Sequence, residues 1–425
     1  MSKEPFNIVI LGASFAGLSA AHNFLRKTID ELGITRTAPK YRVVLISPST
    51  HLFWNIGAPR AIVGTKLIPH SKSFTSIEDA FRDYPKNRFS FIQGSAIAVD
   101  FSQKNVTIAN QRQTSQKIPY HALILATGTS TDSPLLSLHG PHEKTIAALN
   151  AFHARLRDAT SIIIAGGGPS GVECAGQLAT YVNGGRGAKK LPQGPISPTI
   201  IILISGNSRL LPRLPEAVSD KAEQKLKRMG VNVMHNLRLL SAQELPSGAT
   251  RCVLSDDLSM QCDSFVAATG VHPNTSFLPT ELLDASGYIS ADPQYLRVGR
   301  AGDRVYAIGD CAAYSKNSIM DVYESISPLI QNLKNDLLTY ELKTQYPFGG
   351  AEEKLAELED LAYEQNQTIT QLLPITRFGG VGVIFGHRIP SFLVHLMKGK
   401  DYGFKKARST VGAGHNPYKP NKFGM

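Results

Sequence analysis

Short runs of branched apolar residues recur along the 425-residue chain, each closed by a glycine turn and followed by an apolar stretch at helical spacing. Asn7-Ile8-Val9-Ile10-Leu11 leads into Gly12-Ala13-Ser14-Phe15-Ala16-Gly17 and then Leu18-Ser19-Ala20-Ala21-His22-Asn23-Phe24-Leu25. Thr160-Ser161-Ile162-Ile163-Ile164-Ala165 leads in the same way into Gly166-Gly167-Gly168-Pro169-Ser170-Gly171-Val172-Glu173. Continuous apolar runs predict strands buried on both faces, and the spacing after each turn predicts a helix. Further runs at Tyr41–Ile46, Ala122–Leu125, Thr199–Ile204, Ser264–Ala267 and Arg304–Ile308 complete an alternation that continues to about residue 330. The expected fold class is therefore α/β with parallel, doubly wound sheets.

The two glycine turns carry the first chemistry. In the first, Gly12 permits the tight turn and Gly17 close packing of helix on strand, while Ser14 stands where a second glycine lets the backbone approach a ligand. The second is complete, with Gly166, Gly168 and Gly171 spaced G-x-G-x-x-G and Pro169 opening the helix. A helix N-terminus behind such a turn offers free N–H groups and a positive dipole end to a pyrophosphate. One such turn alone fits an ordinary strand-to-helix junction; two in matching context predict two dinucleotide sites. The strand after the first loop ends at Ser47 and that after the second at Ser205, so neither supplies the ribose-binding acid. With no carboxylate to repel a 2′-phosphate and Arg209 close by, the second site is expected to take NADPH or NADH, with NADPH favoured. Ala126-Thr127-Gly128 and Ala268-Thr269-Gly270 end two further strands in an internal echo, and Gly309-Asp310-Cys311-Ala312 ends another. Asp310 is placed to bind a ribityl or pyrophosphate hydroxyl.

Composition narrows the picture. The chain is 42% apolar and 19% charged, and no run of 18 uncharged apolar residues suggests a membrane span. Strand pattern begins at Phe6, which leaves no room for a cleaved signal, and Ser2 removes an N-myristoylation site. A cytoplasmic location is expected, with peripheral contact to a mitochondrial or other intracellular membrane as the alternative. Cys174, Cys252, Cys262 and Cys311 have no C-x-x-C spacing, so neither a redox-active disulfide nor a metal site is expected, and Cys311 reads as a small packing residue. From Lys398 onward Lys398, Lys400, Lys405, Lys406, Arg408, Lys419 and Lys422 face Asp401 alone. That run reads as a solvated tail or as an attraction to an anionic membrane, worth on the order of 1 kcal/mol per well-placed basic residue. No nucleic-acid motif accompanies it.

Taken together these residues resemble the two-dinucleotide-binding-domain flavoproteins of the pyridine nucleotide-disulfide oxidoreductase superfamily, in the apoptosis-inducing-factor-like branch. Ferroptosis-suppressor-protein-like and fungal mitochondrion-associated-factor-type enzymes are similar, and type II NADH dehydrogenases are cousins. The likeness covers nearly the whole chain and includes Asn55-Ile56-Gly57-Ala58-Pro59-Arg60-Ala61 and Tyr306-Ala307-Ile308-Gly309-Asp310-Cys311. It implies two Rossmann-like domains, an FAD domain split by an inserted NAD(P) domain, plus a C-terminal α+β segment. The expected boundaries are 1–145 and 275–340 for FAD, 146–274 for NAD(P)H and 341–425 for the C-terminal part.

The resemblance also implies roles. Gly12, Ala13, Ser14, Phe15, Ala16, Gly17 and Arg60 would hold the FAD pyrophosphate, with Ala126, Thr127 and Gly128 packed near it and Asp310 on the ribityl chain. Gly166, Gly168, Pro169, Gly171, Ser205, Arg209 and Gly270 would hold NADPH or NADH. Glu173 would lie where flavin and nicotinamide meet, its bland alternative being a carboxylate that complements the helix dipole. A helix over about 320–338 would aim its N-terminus at the flavin. Relatives that reduce quinones share a Tyr-Lys-Pro run where this chain has Ala362-Tyr363-Glu364-Gln365-Asn366. The expected function is hydride transfer from NAD(P)H to FAD, then electron delivery to a quinone-like acceptor. A tailoring oxidoreductase acting on a small metabolite of a fungal biosynthetic pathway is the alternative, and a nicotinamide-responsive redox-sensing interaction protein the third reading. Three local expectations remain: a surface loop over Asn183–Pro195, a solvated helix or linker over Phe348–Leu361, and hairpin material over Arg377–Gly386. Phe392, Leu393, Leu396 and Met397 are expected to form a helical face docked on the core rather than on a membrane.

Overall fold

The computed structural model describes residues 4–32, 40–184, 198–376, 378–407 and 411–418. Residues 185–195 of the expected surface loop lie outside them, as do Arg377, Arg408, Lys419 and Lys422. The continuous apolar runs form two all-parallel sheets. One has the strand order Val305–Ala307, Ala122–Leu125, Phe6–Leu11, Tyr41–Ser47, Phe89–Gln93. The other has the order Val231–Met234, Ile200–Ile204, Ser161–Ala165, Ser264–Ala267. The central strands carry the longest branched runs because they are covered on both faces, so that Ile8, Val9 and Ile10 are fully buried.

The internal echo extends to topology. A three-stranded antiparallel meander precedes the last strand of each repeat: Ser95–Asp100, Asn105–Ala109 and Ser115–Pro119 in the first, Leu239–Glu244, Thr250–Leu254 and Ser259–Cys262 in the second. The segments leaving the two Ala-Thr-Gly turns then meet, Thr129–Ser130 pairing antiparallel with His272–Pro273. The strand Val305–Ala307 follows the second sheet in sequence but belongs to the first, beside Ala122–Leu125. The helix expected over 320–338 is longer, Ile319–Gln345, and starts on a cap in which the Ser318 hydroxyl accepts the Met320 N–H. In the acidic stretch after it only Glu352–Ala356 is helical.

The segment after residue 390 departs most from expectation. Strands Gln371–Thr376 and Gly379–Ile384 form a hairpin, which His387–Arg388 extends. Its first strand lies against helix Pro169–Val182, so closely that a Cβ on Gly176 would sit 2.3 Å from the Ile375 carbonyl oxygen. Beyond it the chain folds back over the first domain rather than trailing into solvent. Tyr402, Phe404, Ala407 and Val411 are buried, and the Trp54 indole N–H donates to the Tyr402 carbonyl at 2.8 Å. Ser19 donates to the Gly414 carbonyl at 3.1 Å, and a ring nitrogen of His22 lies 2.8 Å from the Gly412 carbonyl. The solvated-tail reading is corrected for residues 398–407 and 411–418: apolar side chains set among the lysines find a core. The expected docking of the 392–397 face is corrected in the opposite sense. Val394 and Gly399 turn inward, whereas Phe392, Leu396 and Met397 are 60%, 60% and 56% exposed. Among the described residues no helix is long and apolar enough to cross a membrane.

Candidate functional site

Each glycine loop is pressed against the Ala-Thr-Gly turn of its own repeat. Gly12 (φ +105°) and Gly166 (φ +125°) are left-handed, and a Cβ on either would lie 2.2 or 2.0 Å from the carbonyl oxygen of Ala126 or Ala268. Helices Phe15–Asn23 and Pro169–Val182 leave these loops with N-caps Ser14 and Gly168, neither making a side-chain cap bond. Their first N–H groups are thus directed at the carboxyl edge of each sheet.

At the first edge Gly309 (φ +73°) places its Cα hydrogen against Ala16, which brings Asp310 beside the loop's helix. Burial pushes the Asp310 carboxyl up to about 6, the nearby Asp321 carboxylate acts in the same direction, and the Ser315 hydroxyl at 3.4 Å opposes them. Among the described residues the buried Thr127 hydroxyl has only the Cys311 thiol near it, and Gly128 opens onto free space. A buried hydroxyl, a carboxyl poised to share a proton and a helix N-terminus at one sheet edge suit the ribityl and pyrophosphate groups of FAD. The Cys311 thiol is fully buried and directed at the carbonyls of Leu125 and Ile308, beside Thr127. Cys174, Cys252, Cys262 and Cys311 are all buried and free. No group of three or more metal-ligating side chains occurs among the described residues.

At the second edge Gly168 is the informative residue. Its φ is −80°, open to any residue, and a Cβ there would meet nothing within 4 Å. Packing does not demand a glycine, whereas close approach of a pyrophosphate does. Ser205 is fully buried beneath the loop and uses its hydroxyl within the turn, bonding the Asn207 carbonyl and N–H. Gly270 (φ +140°) follows Thr269, whose hydroxyl donates to Asp132 at 2.9 Å, and His272 reaches the same carboxylate at 3.1 Å. Arg209, expected as a phosphate ligand, is held by its own loop. Its guanidinium is spent on the carbonyls of Pro212 and Leu214 and on the Ser219 hydroxyl, at 2.7–2.9 Å.

Between the two edges lies a buried polar cluster drawn from four separate segments. Glu173 is 3% exposed and pairs with Lys398 at 2.6 Å, and Lys398 also donates to the Leu372 carbonyl. Burial raises the Glu173 carboxyl above the usual range, while Lys398 and then Arg60 oppose the rise. Arg60 donates from Nε to Gln177 at 3.0 Å and from Nη1 to the Lys400 carbonyl at 3.2 Å, and stacks over the Tyr402 ring at 4.6 Å. Its Nη2 is buried without a partner among the described residues. Among the described residues none of its hydrogen-bond partners belongs to the Gly12–Gly17 loop, and its expected place at the FAD pyrophosphate stays a proposal. Lys398 is likewise not a surface charge of a tail. Gln177 was discoverable, four residues after Glu173 and hence on the same helix face. Lys398 and Tyr402 were not, because nothing local ties them to residue 173.

A family model described as pyridine nucleotide-disulphide oxidoreductase matches residues 6–327. The chain is 36% identical over 405 residues to Oxidoreductase phnG of Penicillium herquei, covering 93% of both chains. It is 24% identical over 412 residues to ferroptosis suppressor protein 1 of Homo sapiens, again covering 93% of each. Among solved structures, NDH2 from Plasmodium falciparum in complex with NADH superposes with a TM-score of 0.63 at 15% identity, over 95% of this chain and 93% of that one. The matched region spans both glycine loops and the Gly309-Asp310 turn, and this chain therefore belongs to the pyridine nucleotide-disulphide oxidoreductase family as an FAD-dependent NAD(P)H oxidoreductase.

Proposed function

We propose that this oxidoreductase passes electrons from NADPH or NADH to a quinone or a quinone-like small molecule. The observation that carries the reading is the juxtaposition of two glycine-loop edges across one buried polar junction. Gly12–Gly17, Thr127, Gly128 and Asp310 would hold FAD, and Gly166, Gly168 and Gly171 the nicotinamide dinucleotide. When bound, FAD supplies the hydride-accepting ring and the onward electron transfer. The chain's part is to orient and to exclude water. Glu173 and Gln177 present polar groups from one face of the nicotinamide domain's helix, and Arg60 answers from the first domain. Lys398 sits 2.6 Å from Glu173 and opposes the rise that burial imposes on its carboxyl. The domain limits given above, with the first domain split around the second, are part of this proposal.

The likeness to ferroptosis suppressor protein 1 and to NDH2 motivates the quinone. The higher identity to a fungal oxidoreductase and the missing lysine in Ala362–Asn366 favour the second reading, a tailoring enzyme acting on a pathway metabolite. Anaerobic titration with NADPH and NADH is expected to bleach the bound flavin, and a short-chain benzoquinone to restore its colour. Bleaching without restoration excludes the quinone and leaves the metabolite reading; a protein that takes up no flavin overturns both.

Lys398→Met isolates a buried carboxylate. It is expected to cost about 3 kcal/mol in urea unfolding at pH 8, with most of the loss recovered in the Glu173→Gln/Lys398→Met double variant. A loss below ~0.5 kcal/mol, typical of exposed pairs, removes the ion pair from the account. The exposed face of Phe392, Leu396 and Met397, with Lys400 beside it, adds peripheral membrane contact to the proposal. Phe392→Asp/Leu396→Asp is expected to abolish pelleting with phosphatidylserine vesicles. Absence of pelleting by the unaltered protein at physiological salt ends that part.

A further inference from the structure

Ser205 and Gly206 end the strand Ile200–Ile204 at the carboxyl edge, under the second glycine loop. In doubly wound folds the adenosine ribose of a dinucleotide lies at this point, and a carboxylate there selects NADH by holding the 2′-hydroxyl. The chain has serine and glycine instead. The neighbouring strand Val231–Met234 continues alongside through its own exit loop: the Leu237 N–H donates to the Ser205 carbonyl at 3.0 Å and the Asn236 N–H to the Asn207 carbonyl at 3.2 Å. That pairing delivers Arg238 to the same edge.

We propose that Arg238 binds the 2′-phosphate of NADPH and thereby makes NADPH the preferred donor. The proposal rests on the nucleotide-site reading of the second glycine loop. Its backbone is fixed on both sides, the N–H donating to the Ser255 hydroxyl at 3.1 Å and the carbonyl accepting the Ser255 N–H at 2.9 Å. Its side chain lies across Gly206: a Cβ at that position would come within 3.0 Å of the arginine Cγ and 3.5 Å of its Nε. Gly206 therefore leaves both a floor for the ribose and a channel for the guanidinium.

Among the described residues the Arg238 guanidinium has no hydrogen-bond or ion-pair partner, and the side chain is exposed. Glu223 and Asp256 have partners of their own. Glu223 is shared by Lys227 and His235, and Asp256 accepts the Leu258 N–H. Arg209, the other cation of this edge, is consumed by its own loop. An unpaired fork of five donors beside a ribose site without a carboxylate matches a phosphate dianion, which accepts such donors in pairs.

Calorimetric titration of the purified protein with 2′,5′-ADP and with 5′-ADP tests this without turnover. The 2′-phosphate is expected to tighten binding on the order of 30-fold, the usual worth of charge-assisted bonds. Arg238→Ala should collapse that ratio towards one, Arg238→Lys should keep part of it, and Gly206→Asp should invert it by placing an acid at the ribose. Equal affinities in the unaltered protein, or a ratio that survives Arg238→Ala, would falsify the assignment while leaving the nucleotide site intact. Failure to bind either compound would overturn the site and the assignment together.

Discussion

Everything at the two candidate sites depends on a contact that tolerates no side chain. Gly12 and Gly166 pass so close to the carbonyls of Ala126 and Ala268 that a single methyl group would overlap an oxygen. This contact locks each loop onto the end of the strand paired beside its own and turns the following helix so that its free N–H groups point over the sheet edge. The remaining ligand-facing features of the first site, Thr127, Gly128 and Asp310, are arranged by that edge. Because the same contact occurs twice, the chain builds two edges of one design. The pairing of Thr129–Ser130 with His272–Pro273 then holds the two repeats together.

The junction between the repeats poses an electrostatic problem that the C-terminal segment answers. Taking the Glu173 carboxylate out of water costs several kcal/mol unless a charge and hydrogen bonds replace the solvent. Lys398 supplies the charge from 225 residues away in sequence, and Tyr402, Arg60 and Gln177 surround the pair. Folding the chain end over Trp54 and the first helix thus serves packing and charge compensation at once. Three exposed apolar side chains, Phe392, Leu396 and Met397, stand just before the segment turns inward.

The sheets and loops were legible because their signals are local: continuous apolar runs, a glycine turn, then helical spacing. Gly168 was legible for the same reason, and its open surroundings explain why a glycine stands where packing asks for none. Glu173 and Asp310 were legible from their places in the loops, but the partners of charged residues were not, since the partner of a charge is a tertiary fact. Arg209 looked free beside the second strand, yet its own loop folds around it. Arg60 sat in a family motif but faces Gln177 and Tyr402. Lys398 was hidden in a run of like charges whose intervening Tyr402, Phe404 and Val411 are core residues. Arg238 lay too far along the chain to be associated with Gly206, until strand pairing brought the two together.

The central claim is that the two edges bind two different dinucleotides. Gly168→Val tests it most directly, since a Cβ there meets nothing within 4 Å of the protein but would stand where a pyrophosphate approaches. The account predicts a folded protein that keeps its flavin absorbance and fails to bleach on addition of NADPH or NADH under anaerobic conditions. Unchanged bleaching, or loss of flavin from this variant, would contradict the assignment of the second loop to the nicotinamide nucleotide.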